Sequence, residues 1–284
     1  MEQAPRWLRW TLTTYPVAAL AALFLGPLVM LLVVSFFRHV SGGGLFVPTF
    51  TTANYAQALE AFYLTRLAYT LGFAALTAAI CLLLALPFTY YLAREAGQRM
   101  RALLLGVTVS TLWLTTIVRA FGWSVLLSRS AGIGQLLHWL GLVSLPPSYA
   151  PGFAAALIGM CYIYFPFMVL SIYNALRAIN PELEEASMSL GAPRMRTFVR
   201  IVLPLVRRGM VTGYAFVFLL TVGTFVIPQV LGQPPQWTQA VFITNAAIYN
   251  GNIPLASALA VVLAVITAVL LFVAMKLGGR EQRE

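Results

Sequence analysis

Three glutamates, Glu182, Glu184 and Glu185, and six arginines, Arg177, Arg194, Arg196, Arg200, Arg207 and Arg208, stand between residues 177 and 208. That stretch holds three of the chain's eight acidic residues and six of its eighteen basic ones. Such groups recognise partners, because carboxylates and guanidiniums make charge-assisted hydrogen bonds to groups of opposite sign. Acid–base, nucleophilic or metal chemistry needs another set of residues. The chain has no aspartate; His39 and His138 lie far apart, and Cys81 and Cys161 sit in separate apolar runs. No catalytic residue, metal ligand or enzymatic activity is therefore expected. The two thiols fit reduced cysteines packed as small hydrophobes.

Composition says what must position the charged stretch. The chain is 60% hydrophobic and 9% charged, with mean hydropathy +0.85. Soluble domains carry about 25% charged residues, so this is an all-helical, multi-span membrane protein. A crossing helix needs about 20 apolar residues. Six spans are predicted, near residues 16–37, 67–93, 102–127, 152–176, 209–231 and 255–275, forming one transmembrane domain over 1–284. The first apolar run is too long for the core of a signal peptide and reads as a retained span. Basic residues then set the orientation. With the N-terminus inside, the cytoplasmic segments hold Arg6, Arg9, Arg94, Arg99, Arg101, the six arginines of 177–208, Lys276, Arg280 and Arg283. Outer segments hold only Arg38, Arg66 and Arg129. Both termini and 177–208 are thus expected on the cytoplasmic side. The basic excess belongs to topology and anionic lipid rather than to nucleic acid.

Within 177–208, Asn180 suits an N-cap and Pro181 the first helical position. Glu182, Glu184 and Glu185 would then face the positive end of the helix dipole. Gly191 is placed to end this helix in a left-handed conformation. Pro193 opens a second short helix, on which Met195, Phe198, Val199 and Val202 share one face. Pro204 should bend the chain into the fifth span. The residues alone leave two readings: an amphipathic interfacial loop, or a docking element along the membrane surface.

Glu185-Ala186-Ser187, Gly191 and Ile201-Val202-Leu203-Pro204 resemble the EAA signature of ABC importer permeases, E-A-A, three residues, G, nine residues, I-x-L-P. The single departure is Ser187 for the second alanine. Six spans, with the signature between the fourth and fifth, also resemble that family's core. Arg119-Ala-Phe-Gly-Trp123, Gly132-Ile-Gly-Gln-Leu-Leu and Phe225-Val-Ile-Pro228-Gln-Val-Leu-Gly232 look like the spermidine/putrescine-type permeases.

The resemblance implies a type I importer permease fold with a cytoplasmic coupling helix–turn–helix. It implies a second homologous permease subunit, two ATPase subunits holding ATP and Mg²⁺, and a periplasmic or lipid-anchored binding protein. This chain would carry no cofactor, which fits the lack of a G-x-x-x-x-G-K-[ST] loop. Glu184, Glu185, Ala186, Gly191, Arg194, Ile201, Leu203 and Pro204 would form the coupling site. Glu185 would make a charge-assisted contact with the ATPase, and Gly191 would set the turn. The cargo implied is a polyamine such as spermidine or putrescine. Relatives that import phosphonates, iron, thiamine or opines keep an anionic or metal-complex cargo as an alternative.

Pathway candidates are Arg119, the only charge inside a predicted span, and the aromatics Trp113, Trp123, Tyr162, Tyr164 and Phe165. Intramembrane charges usually face the bundle interior, although Arg119 could also snorkel outward. The aromatics could offer cation–π faces to an amine or simply pack. A secondary transporter is the alternative class. It would normally carry an intramembrane carboxylate or histidine, and the predicted spans contain none.

Overall fold

Hydrocarbon offers no hydrogen bonds, so a spanning segment must satisfy its own backbone, and a helix does so. The computed structural model describes residues 6–40, 46–129, 131–145 and 147–280. Positions 41–45, 130, 146 and both chain ends, with Glu2, Glu281, Arg283 and Glu284, lie outside the described residues. The described chain is helical nearly throughout, and its only bridge outside helices joins Arg38 to Val47. Among the described residues, five helices are long and apolar enough to cross a membrane, and a bent pair makes up to six. Two compact units form, one from the chain up to Leu64 with Phe242–Leu270, the other from Thr65–Val241 with the chain from Leu271 on.

In the first unit, α1 (Arg6–Val34) ends against α2 (Ala53–Ala58). Asn54 on α2 is buried, and its Nδ2 donates to the carbonyls of Ser35 and Phe37, each at 2.8 Å. Those carbonyls follow a helix end, where helical partners run out. The Ser35 and Tyr55 hydroxyls meet at 2.7 Å, and Phe36 stacks on Phe50 at 5.0 Å. The core joins Ala58 to Leu255 and Leu259. The chain turns before the last long helix: Gly251 takes φ +63°, and Asn252 Oδ1 accepts from the Leu255 N–H at 3.1 Å to cap that helix.

In the second unit, α3 (Ala61–Tyr90) continues through a π-helical turn, Tyr91–Glu95, into α4 (Gln98–Ser110). Arg101 gathers the carbonyls closing that turn, Leu92 at 2.8 Å, Ala96 at 3.1 Å and Ala93 at 3.4 Å. Buried threonine hydroxyls bond within their own helices. Thr77 reaches Phe73 O at 2.9 Å, Thr89 reaches Ala85 O at 2.7 Å and Thr221 reaches Val217 O at 2.8 Å. Cys81 and Cys161 are free thiols.

Two spans depart from the expected outline. The third is not continuous over 102–127; it bends by 104° between Gln98–Trp113 and α5 (Thr116–Leu126). Hydroxyls cause the break. Ser110 and Thr111 turn back onto the carbonyls of Val107 and Thr108 at 2.8 and 2.7 Å, while Thr115 Oγ1 accepts from the Val118 N–H to start α5. Serine and threonine compete with helical bonding in this way. The helical stretch that carries the fifth span runs from Arg194 to Gly223, against the 209–231 expected. Pro204 does not separate a surface helix from it. A π-helical turn at Phe198–Val202 precedes Pro204, and that turn absorbs the interruption a missing N–H imposes.

The short α6 (Ile133–Trp139) lies between α5 and the fourth span. The fourth span, α7 (Phe153–Arg177), carries the core side chains Met160, Met168, Ile172 and Leu176. After α8 (Glu182–Ser189) and α9 (Arg194–Thr197), helix α10 (Leu203–Gly223) packs along α7 through small residues. Gly209 and Gly213 face Ser171 and Ala175, the close approach that small residues four apart permit in membranes. Ser171 Oγ donates to Gly209 O at 2.9 Å. Helices α11 (Val226–Leu231), α12 (Gln239–Thr244) and α13 (Ile253–Arg280) complete the order.

A Cβ on Gly209 would lie 2.4 Å from Ala175 Cβ. Gly209→Ala should therefore destabilise the protein by about 1–3 kcal/mol, and adding Ala175→Gly should recover most of that loss. Thermal unfolding in detergent reads both, and an unchanged Tm in Gly209→Ala would refute the close α7–α10 contact.

Candidate functional site

The charged stretch folds as the cap rules require. Asn180 Oδ1 accepts from the Glu182 N–H at 3.1 Å, and Pro181 O accepts from the N–H groups of Glu184 and Glu185. All three glutamates occupy the first turn of α8, where they meet the positive end of the helix dipole. The helix stops in a Schellman turn. Gly191 takes φ +86°, its N–H donates to Met188 O at 2.9 Å, and the Ala192 N–H donates to Ser187 O at 3.2 Å.

The glutamates then divide. Glu184 is buried, 5% exposed, and both its oxygens are taken. Arg94 Nε donates to one at 2.6 Å, and the Tyr90 hydroxyl donates to the other at 2.9 Å. Arg94 also reaches Ile179 O at 3.2 Å. This pair locks α8 to the end of α3. A buried pair of this kind costs roughly 3–5 kcal/mol to break on one side, against about 0.2–1 kcal/mol for an exposed pair. The second pair, Arg194 with Glu95 at 3.4 Å, is of the exposed kind. Glu185 and Ala186 point outward, beside exposed Leu183, Met188 and Leu190.

Further contacts close the turn. Ser187 and Thr197 share a hydroxyl–hydroxyl bond of 3.0 Å between α8 and α9. Tyr90 meets Phe198 edge-on at 5.0 Å. The serine that departs from the alanine pattern thus gains a specific partner across the turn. Of the face predicted on the second arm, Val202 is buried and Phe198 half-buried, whereas Met195 and Val199 are exposed. Ile201 and Leu203 are half-buried and Pro204 is exposed at the start of α10.

The pathway candidates separate in space. Trp123 and Tyr162 meet edge-on at 5.5 Å. With Phe165 they line an apolar groove of about 670 Å³, which Phe88, Thr108 and Pro166 extend. Arg119, Trp123 and Tyr162 line a second cavity of about 400 Å³. Trp113 is 88% exposed and lines neither. Tyr164 is turned toward α10, where its hydroxyl donates to Leu220 O at 3.1 Å and touches Thr224. Tyr90, Arg94 and Thr197 were not anticipated as partners of the charged stretch; the one signal for Arg94 was a basic residue closing a span. Among the described residues no group of three or more histidines, cysteines or acidic residues could hold a metal ion.

Comparison with known proteins places this arrangement in a family. Residues 85–278 match the binding-protein-dependent transport system inner membrane component family. The spermidine/putrescine transport system permease protein PotB of Salmonella typhimurium (strain SL1344) is 34% identical over 183 residues, 64% of this chain. The match spans 63% of that relative's length. The PotB of Haemophilus influenzae is 29% identical over 247 residues, covering 87% of this chain and 86% of that protein. A bacterial ABC transporter structure involved in import of the acidic polysaccharide alginate superposes with TM-score 0.76 over 96% of both chains at 16% identity. The shared fold is that of type I ABC importer permeases. With the match running from the second span to the last, this chain belongs to the inner-membrane components of binding-protein-dependent transport systems.

Proposed function

We propose that this chain is the permease subunit of an ABC importer, forms half of the translocation pathway as one permease domain, and carries a polyamine such as spermidine or putrescine. The two-sided α8 carries this reading: Glu184 is locked to its own chain while Glu185 and Ala186 remain free for a partner. That partner is an ATPase subunit, two per importer, which holds ATP and Mg²⁺. A cleft of about 180 Å³ beside Glu185, lined also by Met188 and Arg194, takes a side chain of the ATPase surface. A second homologous permease completes the pathway, and a periplasmic or lipid-anchored protein delivers cargo to the outer segments. Both termini are cytoplasmic. The similarity to the PotB proteins supports the polyamine cargo.

Closure of the ATPase pair moves α8, and the tether to α3 and the turn at Gly191 pass that movement to two spans. Net transport requires that ATP and loaded binding protein each favour one pathway state over the other.

A cell membrane preparation with all subunits should hydrolyse ATP faster when loaded binding protein is added. Gly191→Val meets no steric obstacle, yet it strains the left-handed backbone by about 1–3 kcal/mol. It should leave the subunit in the membrane and lower stimulated hydrolysis about tenfold, the effect of ~1.4 kcal/mol. Normal stimulation in that variant would remove Gly191 from the coupling role. Glu184→Ala should lose about 3 kcal/mol of stability, whereas Glu185→Lys should keep the Tm and lose ATPase co-purification. Equal Tm losses in the two would contradict the division between them. Calorimetry of the cognate binding protein with spermidine, putrescine and a phosphonate decides the cargo, and binding of the phosphonate alone would exclude polyamines.

A further inference from the structure

Arg119 is a cation without a counter-charge among the described residues. It is 9% exposed, and its Nε and Nη1 atoms are buried with no hydrogen-bond partner among the described residues. A buried ion is retained where a group of opposite sign meets it. The cavity of about 400 Å³ that Arg119 lines is otherwise walled by Leu114, Val118, Gly122, Leu126 and two aromatics. A Cβ placed on Gly122 would meet nothing within 4 Å, so the cavity wall leaves space for an incoming chain. Beside it, Ile117, Val118, Phe121 and Val125 leave one face of α5 57–58% exposed. Lipid tails can cover such a face, but they offer a guanidinium no acceptor. What fits both features is an apolar helix carrying one carboxylate.

Among the described residues, a second copy of this chain offers no carboxylate in the middle of a span. Its carboxylates are Glu2, Glu60, Glu95, Glu182, Glu184, Glu185, Glu281 and Glu284. Glu60 precedes α3, Glu95 is the last residue of its span, and Glu182, Glu184 and Glu185 lie in the α8 element. We propose that the cavity beside Arg119 receives a membrane-embedded carboxylate from a different subunit, so that a buried ion pair fixes α5 against a non-identical pathway partner. The proposal rests on the reading that a second permease completes the pathway, and it adds the contact and the requirement that the two chains differ.

The test uses the complete importer. A photoreactive p-benzoylphenylalanine at Val118, with Arg119 intact, should crosslink to the co-purifying membrane subunit. Arg119→Glu should lower both recovery of that subunit and transport at least about tenfold, roughly one charge-assisted hydrogen bond. Replacing a single intramembrane acidic residue of that subunit by lysine should restore recovery in the Arg119→Glu background. Arg119→Lys, which keeps the charge, should fall between. Crosslinks to lipid only, to another copy of this chain or to transported solute would overturn the contact. So would the lack of any acidic residue in that subunit's spans, or full recovery with Arg119→Gln. If a second subunit co-purifies in any of these cases, the permease reading stands and only the ion pair falls.

Discussion

Hydrocarbon's inability to hydrogen-bond is the constraint from which this architecture follows. Every carbonyl freed in a span needs a substitute donor nearby, and the chain meets that need within a few residues. Threonines bond the carbonyl one turn back, Arg101 collects the carbonyls at the end of its π turn, and Asn54 takes those beyond α1. The same economy accounts for the breaks. The third span bends where four hydroxyl residues, Ser110, Thr111, Thr115 and Thr116, offer the backbone other partners. The fifth span tolerates Pro204 because a wider turn comes just before it.

The α8 element was legible because its rules are local. An asparagine before a proline, glutamates in the first turn and a glycine at the end describe α8 without any knowledge of the remainder. What lay beyond reach was which glutamate faces inward. Glu184 and Glu185 are adjacent, and only the position of Arg94, in another span, distinguishes them. Arg94 could be read from the sequence only as a topology charge. The bend in the third span was hidden by apolar neighbours that satisfy any hydropathy window. Gly209 and Gly213 stand four apart in the sequence, a visible packing signal passed over beside the basic pair Arg207 and Arg208. Of the pathway candidates, spacing brought Trp123, Tyr162 and Phe165 to one groove but could not foresee that Tyr164 turns the other way.

Charge is used in two opposite ways. At α8 a carboxylate is withdrawn from water only where a guanidinium and a hydroxyl await it, so burial there is compensated within one chain. In α5 a guanidinium is withdrawn with no such provision among the described residues. The first arrangement gives the subunit a defined shape by itself. The second leaves a buried charge that the described residues do not meet.

Helical structure runs unbroken from Arg194 to Gly223. At 1.5 Å per residue, such a rod is about 45 Å long, more than the thickness of the hydrocarbon core. Its lower end carries the Gly191 turn, and the contacts of Gly209 and Gly213 with α7 lie about midway. Mechanically this is a beam on a central support. A sideways push of a few ångströms at one end emerges at the other with comparable amplitude and opposite sense. The π turn at Phe198–Val202 is the softest section, so bending under load should gather there and spare the upper half.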